Sequence, residues 1–536
     1  MRNQSAAAVK LPAGMTDLKK KQGLLGSWSQ VAGLTTVSRV LGLAREIAFA
    51  RFLGAGVVMD AFIVAFRIPS LFRHFFAEGA LTQSFVPVYS ERMEKGDKEE
   101  LEDLLGRVMG TLGALVATVS LIGVIFAPVF VWLFALGFAL EGGESYEQAV
   151  SMLRRTFPYL FFISITAMLA AALNAHRKFA AAAFTPVLMN ICLIAAASLY
   201  AIQAEPQGTV LGWGVFVAGL AQMLFLLVFA RRTCGKFRPQ WGWRDSRVRR
   251  ILTLMVPVII GSSAAQVGVL LDTVLASFLA SGSLSWLNYS QRLMEFPLGV
   301  FGVALATVAL PKLSRLHAAG ERDDYLASTG WAIRSGLAIS VPCAAGLFIL
   351  AEPIMATLFF GGEFNLQDVQ MAALSLKAYA LGLPGLIGIK TLVPSFFARQ
   401  EMKTPVRVAI LALGCKFAVT LPLLWFWLAR EMQAPHTVLA AGTALGATIN
   451  GAALWLLFRR QDPEGKRGAM FKPLLRIAVA AAVICLLLAE FAPDAARWTE
   501  VSLTTRGLWM LACAGGAAAA YFVCLHVTGH RWRDTA

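Results

Sequence analysis

Stretches of this sequence that are otherwise apolar carry a set of charged residues whose chemistry needs an explanation. Between Ser38 and Gly79 they are Arg39, Arg45, Glu46, Arg51, Asp60, Arg67, Arg73 and Glu78; further along come Asp272, Arg292, Glu295, Lys390 and Lys416. An ionised side chain inside hydrocarbon is expensive, so each is a functional candidate unless it pairs or sits at a helix end. Ser38 and Arg45 share one helical face and Arg39 and Glu46 the next, so a polar flank turned towards a cavity accounts for all four. Arg292 and Glu295 stand at i and i+3, close enough to pair, so Glu295 either holds Arg292 as a counter-ion or meets a ligand. Asp272 and Lys416 read as a structural ion pair between helices, because burying either alone would cost too much. Arg51 and Asp60 flank the Gly54-Ala55-Gly56 turn and are expected at the membrane interface. Arginine outnumbers acid in the cavity-facing set, which asks for an anionic ligand. The planar guanidinium donates paired, charge-assisted hydrogen bonds to a diphosphate and never loses its proton.

The elements that must position these residues are membrane helices. The chain of 536 residues is 57% hydrophobic and 15% charged, with a mean hydropathy of +0.64, against roughly 25% charged residues in a soluble protein. Apolar runs recur near 28–54, 58–90, 105–137, 149–174, 180–202, 209–230, 251–280, 284–314, 327–352, 370–398, 405–429, 437–458, 473–492 and 504–527. Each can cross a hydrocarbon core of roughly 30 Å at about 1.5 Å per helical residue. The expected fold class is an all-α polytopic membrane protein of about fourteen transmembrane helices. Even-numbered loops carry the basic residues, including eight between Arg231 and Arg250, while the odd loops are nearly free of them. By the positive-inside bias, the even loops and both termini are cytoplasmic. Residues 1–25 read as a cytoplasmic tail, since they lack an apolar core followed by a cleavage site. The net charge of +16 is spread over these loops, with no soluble basic module of the kind that binds nucleic acid. The seven cysteines include no C-x-x-C pair, which argues against a disulfide framework or a zinc site.

Two landmarks repeat. The stretch Phe66–Glu91, ending around Phe85-Val86-Pro87, resembles Gln291–Leu316 with Ala309-Leu310-Pro311, an offset of 224; Thr185-Pro186-Val187 is echoed by Thr404-Pro405-Val406 at 219. Fourteen spans fit a 12 + 2 arrangement, two pseudo-symmetric six-helix lobes (26–245 and 246–465) followed by two C-terminal helices in 466–536, and an even number of spans per repeat gives the lobes parallel topology. Halves related in this way usually enclose a central cavity that rocks open to either side.

The motifs Ser38-Arg39-Val40-Leu41-Gly42-Leu43-Ala44-Arg45-Glu46, Asp60-Ala61-Phe62, Arg67-Ile68-Pro69, Arg73 and Phe76-Ala77-Glu78-Gly79-Ala80 resemble the opening of the MurJ (MviN) lipid II flippases. Ser285-Trp286, Arg292-Leu293-Met294-Glu295-Phe296-Pro297 and Arg399-Gln400-Glu401-Met402-Lys403-Thr404-Pro405 extend the likeness through the second half. The resemblance implies the fold of the multidrug/oligosaccharidyl-lipid/polysaccharide exporter superfamily, with the last two helices lining a groove for a lipid tail. It implies a flippase rather than an enzyme. Its substrate would be lipid II, undecaprenyl-diphosphate carrying a disaccharide-pentapeptide, moved to the periplasmic leaflet of the bacterial inner membrane for peptidoglycan synthesis. By motif position Arg45, Arg73 and Arg292 resemble the family's central arginine trio, and Arg39, Asp60, Ser285 and Glu295 other cavity positions. Membrane lipids and the cell-wall synthesis machinery are the expected partners. No cofactor is expected, and the membrane potential is the expected driving force. Some members bind sodium in the C-terminal lobe; Lys416 lies near where that site needs oxygen ligands, which argues against sodium here and leaves the coupling ion open. Export of another lipid-linked oligosaccharide is the alternative. An enzyme acting on the same lipids is more distant, because no metal-binding carboxylate set or nucleophile with its base is visible.

Overall fold

Proline and apolar length together set the helix pattern. A computed structural model describes residues 13–76, 80–203, 207–460, 468–491, 498 and 500–529, with side chains at all of these but 13–29, 76, 80, 260–265 and 468–471. The first half contains α1 (Ala13–Leu53), α2 (Val57–Phe76), α3 (Ala80–Lys95), α4 (Lys98–Ile125), α5 (Ala127–Phe134), α6 (Leu136–Glu141), α7 (Glu144–Thr156), α8 (Tyr159–Ala175), α9 (Phe179–Ala201) and α10 (Thr209–Thr233). The second contains α11 (Ser246–Ala276), α12 (Ser283–Pro297), a π-helical turn (Leu298–Gly302), α13 (Val303–Ala318), α14 (Arg322–Ile349), α15 (Ala351–Leu358), α16 (Leu366–Ala398), α17 (Lys403–Ala429) and α18 (His436–Arg459). Two more helices follow, α19 (Gly468–Phe491) and α20 (Leu503–Val527). Among the described residues there is no strand, only an isolated bridge between Gly361 and Phe364.

Among the described residues, eleven helical stretches are long and apolar enough to cross a membrane, which makes this an integral membrane protein. The other three expected spans fall on α1, on α2 with α3, and on α11, the segments that carry Arg39, Arg45, Glu46, Asp60, Arg67, Arg73 and Asp272. Several expected continuous spans are broken. The run expected at 105–137 stops at Ile125 and restarts as α5, with Pro128 in its first turn; the run at 327–352 stops at Ile349 and restarts as α15, with Pro353 near its start. Proline lacks the amide needed to continue a helix but suits the first turn of a new one. The second expected span is described as α2 and α3, and Glu78 and Gly79 lie outside the described residues. So do residues 1–12 of the expected tail, whose remainder is already helical from Ala13.

The internal repeat extends to helix boundaries. Helices α13, α14 and α15 begin 223, 224 and 224 residues after α3, α4 and α5. Even backbone exceptions recur: Gly96 and Gly320 have φ of 79° and 75°, and Arg177 and Gln400 have φ of 60° and 61°. Packing within the second half depends on close helix approach, since a Cβ on Gly382 or Gly385 of α16 would run into Ala444 or Ala447 of α18. Small residues allow such contacts in hydrocarbon, where helices gain no hydrophobic driving force from meeting each other. Helices α19 and α20 pack on α14 and α15, with Tyr521 Oη donating to the Ala338 carbonyl (2.7 Å).

Helix α11 crosses between the halves, packing along α2, α3 and α4 as well as α17 and α18. Its N-cap, Asp245, accepts from the Arg247 amide and guanidinium, and Arg247 also reaches Asp103 (2.8 Å). Hydrogen bonds from Arg247 hold the Asp245 carboxyl down to about 2. A depressed carboxylate contributes stability that is complete above its ordinary value of 3.8 and is lost only as pH falls towards 2. The difference in thermal midpoint between the native protein and Asp245→Asn should therefore stay constant across physiological pH.

Candidate functional site

Where the two halves meet, α1, α2, α11 and α12 enclose a cavity of about 420 Å³. Its charged lining comprises Arg45, Arg67, Arg73 and Arg292 with Glu46 and Glu295, and His74, Gln266, Asn288 and Gln291 add further polar groups. Four guanidinium groups against two carboxylates leave a site with net positive charge. A second recess, about 520 Å³, shares Arg45, Glu46, Arg292 and Glu295 but continues along Arg39, Gly42, Gly299 and the apolar Leu347, Leu358 and Phe359.

The arginines are held by a lattice that links the halves. Arg45 Nη2 donates to Glu46 Oε1 (2.5 Å) and its Nη1 to Asn190 Oδ1 (3.0 Å), while Asn190 Nδ2 donates to the Ser38 carbonyl (3.0 Å). The same Glu46 oxygen lies 3.6 Å from Arg292 Nε, so one carboxylate, 5% exposed, faces arginines from both halves. Arg292 Nη1 also donates to Glu295 Oε2 (3.3 Å), and Gln291 Nε2 donates to Glu295 Oε1 (3.0 Å). Arg67 Nη1 bridges to Thr273 Oγ1 on α11 (2.8 Å). Exposure separates the roles: the Arg45 side chain is 14% exposed and locked by its partners, whereas Arg292, at 46%, keeps donors open to the cavity.

One end of the cavity is sealed, the end away from the basic loops. Asp60 accepts from the Gly282 amide (2.7 Å), the Ser285 amide (2.8 Å) and Ser285 Oγ (2.5 Å). Tyr289 Oη donates to the Gly54 carbonyl (3.0 Å), and the Glu363 amide donates to the Arg51 carbonyl (3.0 Å). Every bond of this set joins the first half to the second. Asp60, expected at the interface beside Arg51, is instead 2% exposed. A carboxylate can be buried so deeply because three donors converge on it.

Of the seven residues singled out from the sequence, Arg45, Arg73, Arg292 and Glu295 line one cavity. Arg39 lies in the adjoining recess, where its Nη2 donates to the Gly299 carbonyl across the halves (3.0 Å). Asp60 and Ser285 come together away from that cavity, in the seal. The expected pair of Asp272 with Lys416 is present at 2.6 Å, with Thr443 Oγ1 3.4 Å from the same carboxylate oxygen. Asn190 was missed. Its signal in the sequence is an amide inside the apolar run of α9, a costly group that demands partners but carries no charge.

The family profile described as lipid II flippase MurJ matches residues 49–506. The chain belongs to the MurJ family. A probable lipid II flippase MurJ of Vibrio cholerae is 39% identical over 97% of this chain and 99% of its own length. The lipid II flippase MurJ of Burkholderia cenocepacia is 35% identical over 94% and 97%. A solved lipid II flippase MurJ in an inward closed conformation superposes with a TM-score of 0.74 at 24% identity, covering 93% of this chain and 98% of that one. An inward-facing multidrug resistance MATE family transporter of the MOP superfamily gives 0.63 at 15% identity, covering 79% and 94%. These likenesses agree with the exporter-superfamily fold expected from the MurJ motifs. They also agree with the all-helical architecture, which carries its arginines at the junction of two repeated halves.

Proposed function

We propose that this protein flips lipid II, with its diphosphate held by Arg45, Arg73 and Arg292 and its lipid tail leaving through the recess beside Arg39. The observation that carries the reading is the cavity itself: three motif arginines from α1, α2 and α12 line one space between the halves. Because the trio is drawn from both halves, an anion held by all three favours their closure, which is what couples binding to movement. The second recess shares the arginine end of the cavity and, Arg39 apart, is otherwise walled by apolar residues, which suits a polar head with a hydrocarbon tail. A cavity of about 420 Å³ lies low in the range of about 300–1,000 Å³ typical of sites for drug-sized ligands. A disaccharide-pentapeptide needs more room, so the halves must part to admit it. The bonds of Asp60 to Gly282 and Ser285 form the gate that opens on the other side.

In this reading the basic loops face the cytoplasm, both termini lie there, and the sealed end faces the periplasm across the inner membrane. Fourteen spans satisfy that arrangement. The membrane potential supplies direction, since an outward-moving anion gains about 2.3 kcal/mol per net charge per 100 mV. In a cysteine-free background, single cysteines at Gly143, Gln207 and Gln367, all exposed, should react with an impermeant thiol reagent from outside intact cells, and one at Gln240 should not. Labelling of the last from outside reverses the orientation. The function is tested by depleting the protein in its host and asking on which face of the membrane lipid II accumulates. Accumulation on the cytoplasmic face is expected; unchanged exposure on the periplasmic face overturns the reading.

A further inference from the structure

The segment joining the halves, residues 234–245, is fastened to the first half rather than hanging between the two. It lies along α4 where Gly106 and Gly110, four residues apart, leave room for its backbone; a Cβ on either would overlap the main chain of Arg238 or Gln240. The Gln240 amide donates to the Gly106 carbonyl (3.0 Å) and the Gly242 amide to Thr111 Oγ1 (2.9 Å). Within it Cys234 and Phe237 are buried, and Asp245 ends it in the ion network with Arg247, Arg107 and Asp103. On this fixed backbone Trp241 and Trp243 point outward, 67% and 48% exposed, their rings stacked 6.1 Å apart at 15°. Arg231, Arg232, Lys236, Arg238, Arg244 and Arg249 around them are exposed.

Depth follows from α4. Its last charged residue is Arg107, and from Val108 to Ile125 it is uncharged and largely apolar. The level of Gly106 to Thr111 is therefore where the helix passes from water into hydrocarbon, and the two indoles are held beside that level. Indole rings, with an apolar body and a polar N–H, favour this boundary, and basic side chains beside it attract anionic headgroups.

We propose that residues 234–245 are a lipid-binding strap, with Trp241 and Trp243 seated among the headgroups and the neighbouring arginines holding anionic phospholipid. The strap leads directly into α11, which brings Gln266, Val269 and Leu270 to the cavity and Asp272 to Lys416. Lipid held there fixes one end of the helix that crosses between the halves. The inference does not depend on which substrate is moved.

The test uses the full chain in nanodiscs of phosphatidylcholine, with and without phosphatidylglycerol. The fluorescence lost in the Trp241→Phe/Trp243→Phe variant isolates the pair, and it should be quenched by lipids brominated near the glycerol end and shielded from aqueous acrylamide. The thermal shift on adding phosphatidylglycerol, referred to each variant's own midpoint in phosphatidylcholine, reads the charge. The amount needed for half the shift should rise about fivefold for each arginine removed in the series Arg238→Gln, Arg244→Gln, Arg249→Gln. Quenching by acrylamide and not by bromolipid overturns the proposal and makes the pair a face for a soluble partner. An unchanged phosphatidylglycerol requirement in the triple variant overturns the anionic-lipid assignment.

Discussion

Arg292→Ala should abolish binding of lipid II in native mass spectrometry and leave cells dependent on the variant unable to expose lipid II to the periplasm. Arg292 is the arginine with donors most open to the cavity, and it already touches Glu46 and Glu295 across and along the helices. Truncating a charge that grips a buried anion costs about 2–5 kcal/mol, and Arg292, 46% exposed in the open cavity, belongs at the lower end of that range, a loss of roughly thirtyfold in affinity. Arg45→Ala should act as strongly but by a different route. It leaves Asn190 Oδ1 without its donor and the Glu46 carboxylate without its nearer arginine, so part of its cost appears as lost stability. Arg73→Ala removes a third donor from the same wall. Lysine separates geometry from charge: if the trio grips diphosphate through paired hydrogen bonds, Arg→Lys at each position should impair flipping nearly as much as alanine. Growth and native-level binding in all three alanine variants would return these arginines to a structural role as counter-ions of Glu46 and Glu295.

Asp272→Asn or Lys416→Met alone should destabilise the protein by about 3–5 kcal/mol, while the double change should be close to neutral. The two groups meet at 2.6 Å, with side-chain exposures of 22% and 7%, so either one left behind is a charge in hydrocarbon without its counter-ion. The double change leaves no unpaired charge between α11 and α17. Thermal unfolding of the purified variants in one detergent checks this. Additive losses in the double variant would mean that the two charges do not act as a pair. The Lys416 ammonium donates to the Asp272 carboxylate at 2.6 Å, so a cation such as sodium would have to compete with it there. A sodium-dependent gain in stability that appears only in Lys416→Met would show that the lysine takes the ion's place.

Much of the site was legible in one dimension because hydrocarbon makes polarity expensive. Lys416 and Asp272 stood out as opposite charges with no nearby partner in sequence, and cost alone predicted that they would find each other. Arg292 and Glu295 were legible from helical spacing, and the cavity arginines from an excess of cation over acid in stretches that are otherwise apolar. Asn190 stayed hidden because a neutral amide carries no charge signal, although its two hydrogen bonds tie α9 to α1 and aim Arg45.

The amino-acid sequence by itself determined that this is a helical membrane protein, that its landmarks repeat, and that arginine is concentrated in stretches that are otherwise apolar. Hydropathy, loop charge and spacing are local quantities, and the bilayer turns them into structure with few alternatives. Breaks in the longer helices were also encoded locally, by Pro128 and Pro353, though the hydropathy reading ran through them. Only the tertiary structure decided which charges face the cavity and which close it. Asp60 reads in sequence as an interfacial residue beside a turn, yet its two carboxylate oxygens accept from Gly282 and Ser285, more than two hundred residues away, and become the seal between the halves. Glu46 likewise acquires its second arginine only when α12 is brought against α1. Contacts between repeated halves have no signature along the chain, because nothing local to either residue depends on the other until folding places them together.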